Sequence, residues 1–223
     1  MGGMSVAEAV ASRRSVRAFL DRPVPLETLR DILDKARMTP SGCNIQPWQA
    51  IVLTGEPLKS LQRKLHGVPF QDPPEYDQTS VASIAPYADR LGGISAELYG
   101  SMGIARDDKE GRGRFADRNW DSFGAPAVLF CYFSRLMKEP NWSDMGMWLQ
   151  TLMLLAREAG LDTCPQESLA FHARIVKEHL GISDEDHLFF CGLAIGYRDA
   201  GAPENNFPRP RLPLDEQVQF RGF

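Results

Sequence analysis

The sequence lacks the features that mark several large classes of protein. No apolar run approaches the roughly 20 residues that cross a bilayer, and the N-terminal residues show no basic segment followed by an apolar one. A formal net charge of −4 gives no general attraction for nucleic acid or for anionic membrane. We therefore expect an unprocessed protein that binds neither membrane nor nucleic acid, and any function that needs positive charge must come from a local cluster.

Disulfide frameworks, metal-ligand spacings and the common catalytic motifs are absent as well. The four cysteines are far apart and form no C-x-x-C pair, and the four histidines show no metal-ligand spacing. No P-loop, nucleophile elbow or opening G-x-G-x-x-G is present. These absences predict a reduced, cytoplasmic protein with no resident metal, in which His172 and His179 are surface residues of a helix.

Apolar patterning is plentiful and predicts one α+β domain over residues 1–223. The chain is 43% hydrophobic, enough for a sizeable core, and predicted strands are interleaved with helices. The predicted helices cover residues 25–38, 87–102, 107–120, 143–160 and 172–180. The predicted extended segments cover residues 50–54, 127–133, 161–164 and 188–197.

Three regions carry further expectations. Residues 56–123 are polar and rich in Gly and Pro at their middle, which predicts a helical lid or specificity region. The helix at 143–160 is apolar nearly all round, which indicates either a central core helix or a subunit interface. Residues 203–223 contain four prolines and a strand-like end, so we expect this tail to embrace another surface, such as a second subunit.

An arginine-rich segment near the start is the first candidate site. Ser12-Arg13-Arg14-Ser15-Val16-Arg17 places three guanidinium groups and two hydroxyls within six residues of an acidic protein. Guanidinium forks match phosphate oxygens in bidentate geometry, and a serine hydroxyl adds a neutral donor. The pattern therefore fits a phosphate monoester, although by itself it also fits a solvated basic patch at a helix end.

A proline-bounded loop is the second candidate site. Pro40-Ser41-Gly42-Cys43-Asn44-Ile45-Gln46-Pro47-Trp48 carries short polar side chains on a backbone that two prolines restrict, with an aromatic residue at the entrance to a strand. Such a loop can present several hydrogen-bonding groups to a planar ligand at small entropic cost. An ordinary turn before a strand explains the same composition equally well.

Together with three later segments, these two motifs resemble the signatures of the nitroreductase family in their order along the chain. The later segments are Gly160-Leu161-Asp162 with Pro165-Gln166-Glu167, then Gly192-Leu193-Ala194-Ile195-Gly196-Tyr197, and finally Arg209-Pro210-Arg211-Leu212-Pro213. The resemblance spans nearly the whole chain. It implies an α+β fold with a mixed, mainly antiparallel sheet flanked by helices, in a homodimer whose FMN sites lie at the interface.

The resemblance also implies roles for residues at matching positions. Arg13 and Ser15, with Arg211 and Arg209, would hold the FMN phosphate, and Arg17 would approach the pyrimidine side of the flavin. Arg14 belongs to the same cofactor-binding segment, with the least certain side-chain role. The partner chain would supply the loop residues Pro40, Ser41, Gly42 and Asn44. The ring face would be lined by Pro165, Gln166 and Glu167.

Two further implications concern the pyrimidine edge and the dimer. Asn119 matches a family asparagine that bonds the pyrimidine edge, while an asparagine that caps a turn is an equal alternative. The helix at 143–160 would be the dimer-interface helix, and residues 212–220 a strand exchanged onto the neighbouring sheet. Gly42 and Cys43 depart from the usual family loop, which leaves the substrate preference open.

The chemistry implied by the resemblance needs no catalytic side chain. NADH or NADPH would pass a hydride to flavin N5 and leave, and a nitroaromatic or quinone acceptor would follow in a ping-pong cycle, with Arg17 as electrostatic support. The segment Tyr99-Gly-Ser-Met-Gly-Ile-Ala-Arg-Asp-Asp108 further resembles nitrobenzoate-reductase-like members. Enone reduction and dehalogenation occur on the same fold. There are two rival interpretations. One is a non-catalytic flavin-binding or redox-sensing protein, and the other is a protein whose arginines form a docking patch for an acidic partner.

Overall fold

The structure is a computed structural model that describes residues 3–78 and 80–223. Its helices are α1 (Val6–Ser12), α2 (Leu26–Ala36), α3 (Gly55–Leu65), α4 (Tyr87–Ser101), α5 (Lys109–Asp117), α6 (Glu139–Glu158) and α7 (Ala173–Leu180). Its strands are β1 (Gln49–Thr54), β2 (Ala127–Ser134), β3 (Asp162–Gln166) and β4 (His187–Gly196).

The four strands form one sheet in the order β1-β2-β4-β3, and each neighbouring pair is antiparallel. The parallel component is a single bridge between Ser15 and Thr163, where Val16 N donates to Thr163 O over 3.0 Å. The predicted α+β class with a mixed, mainly antiparallel sheet is confirmed.

The sheet is covered by helices on both faces, and β2 shows why. Successive side chains of a strand point to opposite faces, so Leu129, Cys131 and Phe133 pack towards α2 and α6, whereas Val128 and Phe130 pack towards α3 and α7. All five are buried. A strand with two covered faces reads as a continuous apolar run, which is why residues 127–133 were predictable.

Helix α6 is a core helix along one of its sides. Its buried residues on the sheet face include Met145, Trp148, Leu152 and Ala156, while Met147 on the outer side is 40% exposed. The first alternative for this helix, a central core helix, therefore applies within one chain. Its exposed outer side leaves the second alternative, an interface, compatible with the fold.

Helix α3 was missed by the sequence analysis. Its leucines Leu58, Leu61 and Leu65 are buried against β2 and α7, so the first part of the predicted 56–123 region belongs to the core. The following segment is also fastened to β4 and to α7: Tyr76 Oη donates to Phe190 O over 2.5 Å, and Glu75 accepts from Phe189 N over 3.0 Å and from Lys177 Nζ over 2.6 Å. A role as a lid or specificity region is therefore proposed only for α4, α5 and their connections.

The C-terminal tail forms no strand within one chain. Residues 212–220 contain a short 3-10 turn at Leu214–Glu216, and the apolar side chains of Leu214, Val218 and Phe220 are exposed. An exchanged strand needs a second chain, so that expectation stays a prediction.

The prediction that His172 is a surface residue of a helix was wrong. Helix α7 begins one residue later, and His172 ends the preceding 3-10 segment with its side chain 1% exposed. Its ring lies edge-on to Trp120 at 4.7 Å and to Phe70 at 5.4 Å between centroids, and neither ring nitrogen has a hydrogen-bond partner. The burial lowers the pKa of His172, since the charged form would lose its hydration.

The buried histidine predicts a pH-dependent stability. Because its folded-state pKa lies below its unfolded value, the unfolded chain binds more protons, and the free energy of unfolding falls as pH drops through about 6.5. We expect His172→Phe to lose less stability than the wild type between pH 7.5 and 5.5 in urea titrations. His179→Phe is the control and keeps the wild-type slope. Equal slopes for wild type and His172→Phe would contradict a buried neutral imidazole.

Candidate functional site

The arginine segment leaves α1 and runs along β3 as an extended chain. Arg13 is the C-cap of α1 in an extended conformation, and the bridge from Ser15 to Thr163 keeps the backbone beside the strand. In an extended chain alternate side chains share a side. Val16 is therefore fully buried, while Arg13, Ser15 and Arg17 face one small cavity.

The tail closes the other side of this cavity. Arg209 donates to the carbonyl oxygens of Arg13 and of Ala11, the latter over 2.9 Å, and Arg14 Nη2 donates to Phe207 O over 2.6 Å. Arg211 donates to Pro210 O over 2.9 Å. The cavity measures about 120 Å³ and is lined by Arg13, Arg14, Ser15, Arg17, Ile94, Phe207, Arg209 and Arg211.

Positive charge in the cavity is not neutralised by the protein. Within residues 3–78 and 80–223 no carboxylate forms an ion pair with any of the five arginines that line it. Burial, with Arg209 and Arg211 nearby, lowers the pKa of Arg13, and its buried Nε has no partner. Unpaired, partly desolvated like charges are unfavourable, so a compact anion in the cavity would relieve their repulsion.

Asn205 holds the backbone of the segment in place and was missed by the sequence analysis. It is fully buried; its Oδ1 accepts from Arg17 N over 2.7 Å, and its Nδ2 donates to Ala18 O and Asp199 O, both over 2.9 Å. An Asn-Asn pair in a proline-rich stretch reads as an ordinary turn, and no pattern in the sequence distinguishes the structural role.

A partly buried ion pair fixes the other side of Arg17. Arg118 Nη1 lies 2.5 Å from Glu204 Oε1, and its Nη2 donates to Arg17 O over 2.7 Å. With both its amide and its carbonyl held, the backbone of Arg17 has little freedom. Within the described part of the chain its side chain donates only to Ser15 O, over 3.3 Å, so the guanidinium keeps donors for a ligand.

Residues 165–167 lie at the end of β3, on the same strand that the arginine segment borders. Gln166 is 2% exposed; its Nε2 donates to Asn119 O over 3.0 Å, and its buried Oε1 has no partner. Pro165 is half-buried and Glu167 exposed. The sheet therefore brings together two of the predicted groups: the phosphate-type arginines and the predicted ring face.

Asn119 is engaged inside the protein. Its Nδ2 donates to Ala116 O over 2.8 Å at the end of α5, and its Oδ1 accepts from Ser168 Oγ over 2.8 Å and from Gln166 Nε2 over 3.3 Å. These bonds match the turn-capping alternative and also place Asn119 directly beside the predicted ring face. The second amide hydrogen stays available to a ligand.

Cys164 lies beneath this face without nucleophilic character. Its side chain is 2% exposed, and burial raises the pKa of the thiol to about 11. A thiol that stays protonated near neutral pH is a poor nucleophile. The site thus offers cations and amides rather than a reactive side chain.

The Pro40 loop is a strained, exposed structure at a different place. Cys43, Asn44 and Gln46 have positive φ values of 50°, 58° and 52°, conformations that cost free energy in residues with a Cβ and often occur at functional sites. The loop is fastened by Gly42 N, which donates over 3.0 Å to Asp144, a buried residue of α6. The sequence analysis missed the anchoring role of this aspartate.

Within one chain the loop and the arginine cavity do not meet. The loop contacts α6 at Asp144, whereas the arginine segment meets α6 at its other end, where Arg157 Nε donates to Ser12 Oγ over 3.4 Å. Thirteen residues of helix separate the two contacts, about 20 Å along the axis. The loop and the arginine segment are therefore fastened to opposite ends of α6.

Comparison with known proteins shows the family of this chain. The sequence model of the Nitroreductase family matches residues 10–197. The chain is 39% identical to a 4-nitrobenzoate reductase of Pseudomonas putida over 96% of its own length and 94% of that protein. The chain belongs to the nitroreductase family.

Solved structures of nitroreductases share the whole fold. An FMN- and NADPH-dependent nitroreductase from Sphigopyxis sp. strain HMH superposes with a TM-score of 0.93 at 48% identity, covering 98% of this chain and all of the other. An FMN-dependent nitroreductase from Mycobacterium smegmatis, solved with NADPH, gives 0.89 at 29% identity, with coverage of 97% and 98%. In the part of the nitroreductase chain that the structure describes, no helix is long and apolar enough to cross a membrane.

The role of Asn205 can be tested by comparison with its neighbour. Asn205→Ala removes three hydrogen bonds and takes away the acceptor of Arg17 N, so we expect the free energy of unfolding to fall by about 2 to 3 kcal/mol. Asn206→Ala is the matched control: Asn206 is exposed and its Nδ2 donates to Ala200 O and Ala202 O, bonds that water can replace, so the urea midpoint should change much less. Similar effects of both substitutions would refute the anchoring role.

Proposed function

We propose that this protein is an FMN-dependent oxidoreductase that takes a hydride from NADH or NADPH and delivers it to a nitroaromatic or quinone acceptor by a ping-pong mechanism. The observation that carries the proposal is the cavity of unneutralised arginines beside the end of β3. Family membership and the FMN-dependent neighbours support it.

The residues present fit an FMN phosphate. A phosphate monoester carries up to two negative charges and three acceptor oxygens, and the cavity offers guanidinium donors, a serine hydroxyl and a buried Arg13 Nε that lacks an acceptor. We assign the phosphate to Arg13, Ser15 and Arg211. Arg209 and Arg14 support them by fastening the backbone around the cavity.

Other residues would hold and tune the ring. Arg17, with its backbone fixed on both sides, is placed to stabilise negative charge at the pyrimidine edge. Asn119 and Gln166 offer amide groups at the neighbouring face, and Pro165 and Glu167 complete it. FMN, when bound, supplies the hydride-accepting atom, and the chain supplies orientation and electrostatics.

We further propose that the functional unit is a homodimer. The Pro40 loop with Ser41, Gly42 and Asn44 is fastened to the opposite end of α6 from the arginine segment of its own chain, and it would cover the flavin of the partner. Exposed apolar side chains on the tail and on the outer side of α6 support an interface, and β1 is an edge strand to which the tail of a second chain could add.

The primary experiment follows the colour of the purified protein. Protein reconstituted with FMN should be yellow, bleach on anaerobic addition of NADH or NADPH, and recolour with a nitroaromatic or a quinone. Yellow protein that does not bleach indicates a flavin-binding protein without turnover. Colourless protein that takes up no FMN would overturn the proposal. Screening enones and halogenated aromatics with the bleached protein distinguishes the other chemistries of the fold.

Substitution of Arg17 should lower the rate of flavin reduction more than it weakens the binding of FMN. Because its guanidinium acts on charge that develops during reduction, we expect Arg17→Ala to slow flavin bleaching in stopped flow by about tenfold or more, with a smaller change in FMN affinity. Arg37→Ala, an exposed arginine paired with Asp34 at 2.8 Å, is the control. Bleaching of Arg17→Ala at the wild-type rate would remove this role.

Hybrid dimers test the shared site. Arg13→Gln disables the phosphate site, and Gly42→Glu places a bulky acid where a Cβ meets no atom of its own chain within 4 Å, so it should fold yet obstruct the partner's flavin. Each homodimer should be inactive. A hybrid purified with two tags should recover about half of the wild-type activity, since one of its sites is intact. An inactive hybrid would show that each loop serves its own chain.

A further inference from the structure

A second cationic site lies across α4 from the arginine cavity. Residues of α4, including Leu91, Ser95 and Tyr99, line a groove of about 710 Å³ together with Arg106 and Arg112. The spacing of the three α4 residues places them on one helical face. Ile94 of the same helix lines the arginine cavity, so the groove and the proposed phosphate site share α4.

Both arginines of the groove are free to bind an anion. In residues 3–78 and 80–223 neither Arg106 nor Arg112 forms an ion pair or a side-chain hydrogen bond. The neighbouring Asp108 is occupied, because its Oδ1 accepts from Gly111 N over 2.8 Å at the start of α5. Among the described residues, no carboxylate is paired with either guanidinium group.

The position of each guanidinium is set by local structure. Arg112 stacks on the ring of Tyr99 at 4.0 Å from the centroid, an arrangement that fixes the plane and leaves the in-plane N–H groups available. Arg106 follows the left-handed Gly103, which ends α4 and lets Ile104 N bond back to Tyr99 O over 3.0 Å. That turn brings Arg106 to face the small side chains of α4.

We propose that Arg106 and Arg112 form a subsite for the anionic group of a substrate, a carboxylate or a phosphate monoester attached to a planar body that lies along α4. This inference rests on the proposed function. Small residues such as Gly92, Ser95 and Ala96 admit a flat ring close to the helix, and a paired guanidinium fork matches either anion. The anion belongs to one of two sources: an aromatic acid acceptor or the 2′-phosphate of NADPH.

The test compares substrates that differ by the anionic group alone. The donor pair is NADPH and NADH, followed by bleaching of the holoprotein. The acceptor pair is 4-nitrobenzoate and nitrobenzene, followed by reoxidation. Arg112→Gln and Arg106→Gln should raise the KM of one anionic substrate by about tenfold or more and leave its neutral counterpart within about twofold. The affected pair identifies the source of the anion.

Controls separate this subsite from general electrostatics and from loss of fold. Arg114 lies on α5, as Arg112 does, but it pairs with Glu110 at 2.5 Å and does not line the groove. Arg114→Gln should therefore leave the KM of both substrates in each pair unchanged. Should Arg112→Gln unfold, Arg106→Gln carries the test alone. Equal effects on both members of each pair, or the same effect from Arg114→Gln, would overturn the subsite.

Calorimetry keeps this inference distinct from the proposed function. Titration of the resting protein with NADP⁺ and NAD⁺, and with 4-nitrobenzoate and nitrobenzene, measures binding without turnover. A selective loss of affinity for one anionic ligand supports the subsite even where no bleaching occurs, and in that case the proposed oxidoreductase activity fails alone. If bleaching and reoxidation proceed and both arginine variants bind all four ligands as the wild type does, the subsite is contradicted and the proposed oxidoreductase activity stands.

Discussion

Repulsion among partly buried guanidinium groups is the constraint on which the site depends. Arg13, Arg209 and Arg211 stand together without a carboxylate, and burial already lowers the pKa of Arg13. The protein offsets this cost with neutral groups. Backbone carbonyl oxygens accept hydrogen bonds from Arg209, and buried Asn205 holds the backbone at Arg17. The tail closes the cavity. An anion in the cavity would relieve the repulsion, and we propose that this relief contributes to the binding of the FMN phosphate.

The sheet connects this charge to the place where chemistry would occur. The arginine segment borders β3, and the same strand ends in Pro165 and Gln166, so a ligand with a phosphate at one end and a planar ring at the other spans a single rigid strand. Rigid elements hold such groups more accurately than loops do. The Pro40 loop is instead fixed to the far end of α6 by Asp144, and this separation is the physical argument for a site shared between two chains.

Much of this arrangement could be predicted from residue patterns, and the exceptions share a cause. Strands covered on both faces and the long apolar helix can be predicted from the sequence, because burial on several sides requires uninterrupted apolar residues. Helix α3 was missed because its charged outer face and Pro57 hide a stripe of leucines. His172 was predicted as an exposed residue of a helix. In the structure it lies one residue before α7, and its ring packs against aromatic side chains. Asn205 and Asp144 act through tertiary hydrogen bonds that no local pattern records.

The affinity for FMN compared with riboflavin tests the central claim most directly. The two ligands share the ring and differ in the phosphate, so the difference in dissociation constant measures what the arginine cavity contributes. The account predicts that FMN binds at least about a hundredfold more tightly, as two charge-assisted hydrogen bonds would give, and that Arg13→Gln narrows the gap. Riboflavin binding as tightly as FMN would contradict the assignment of this cavity to phosphate.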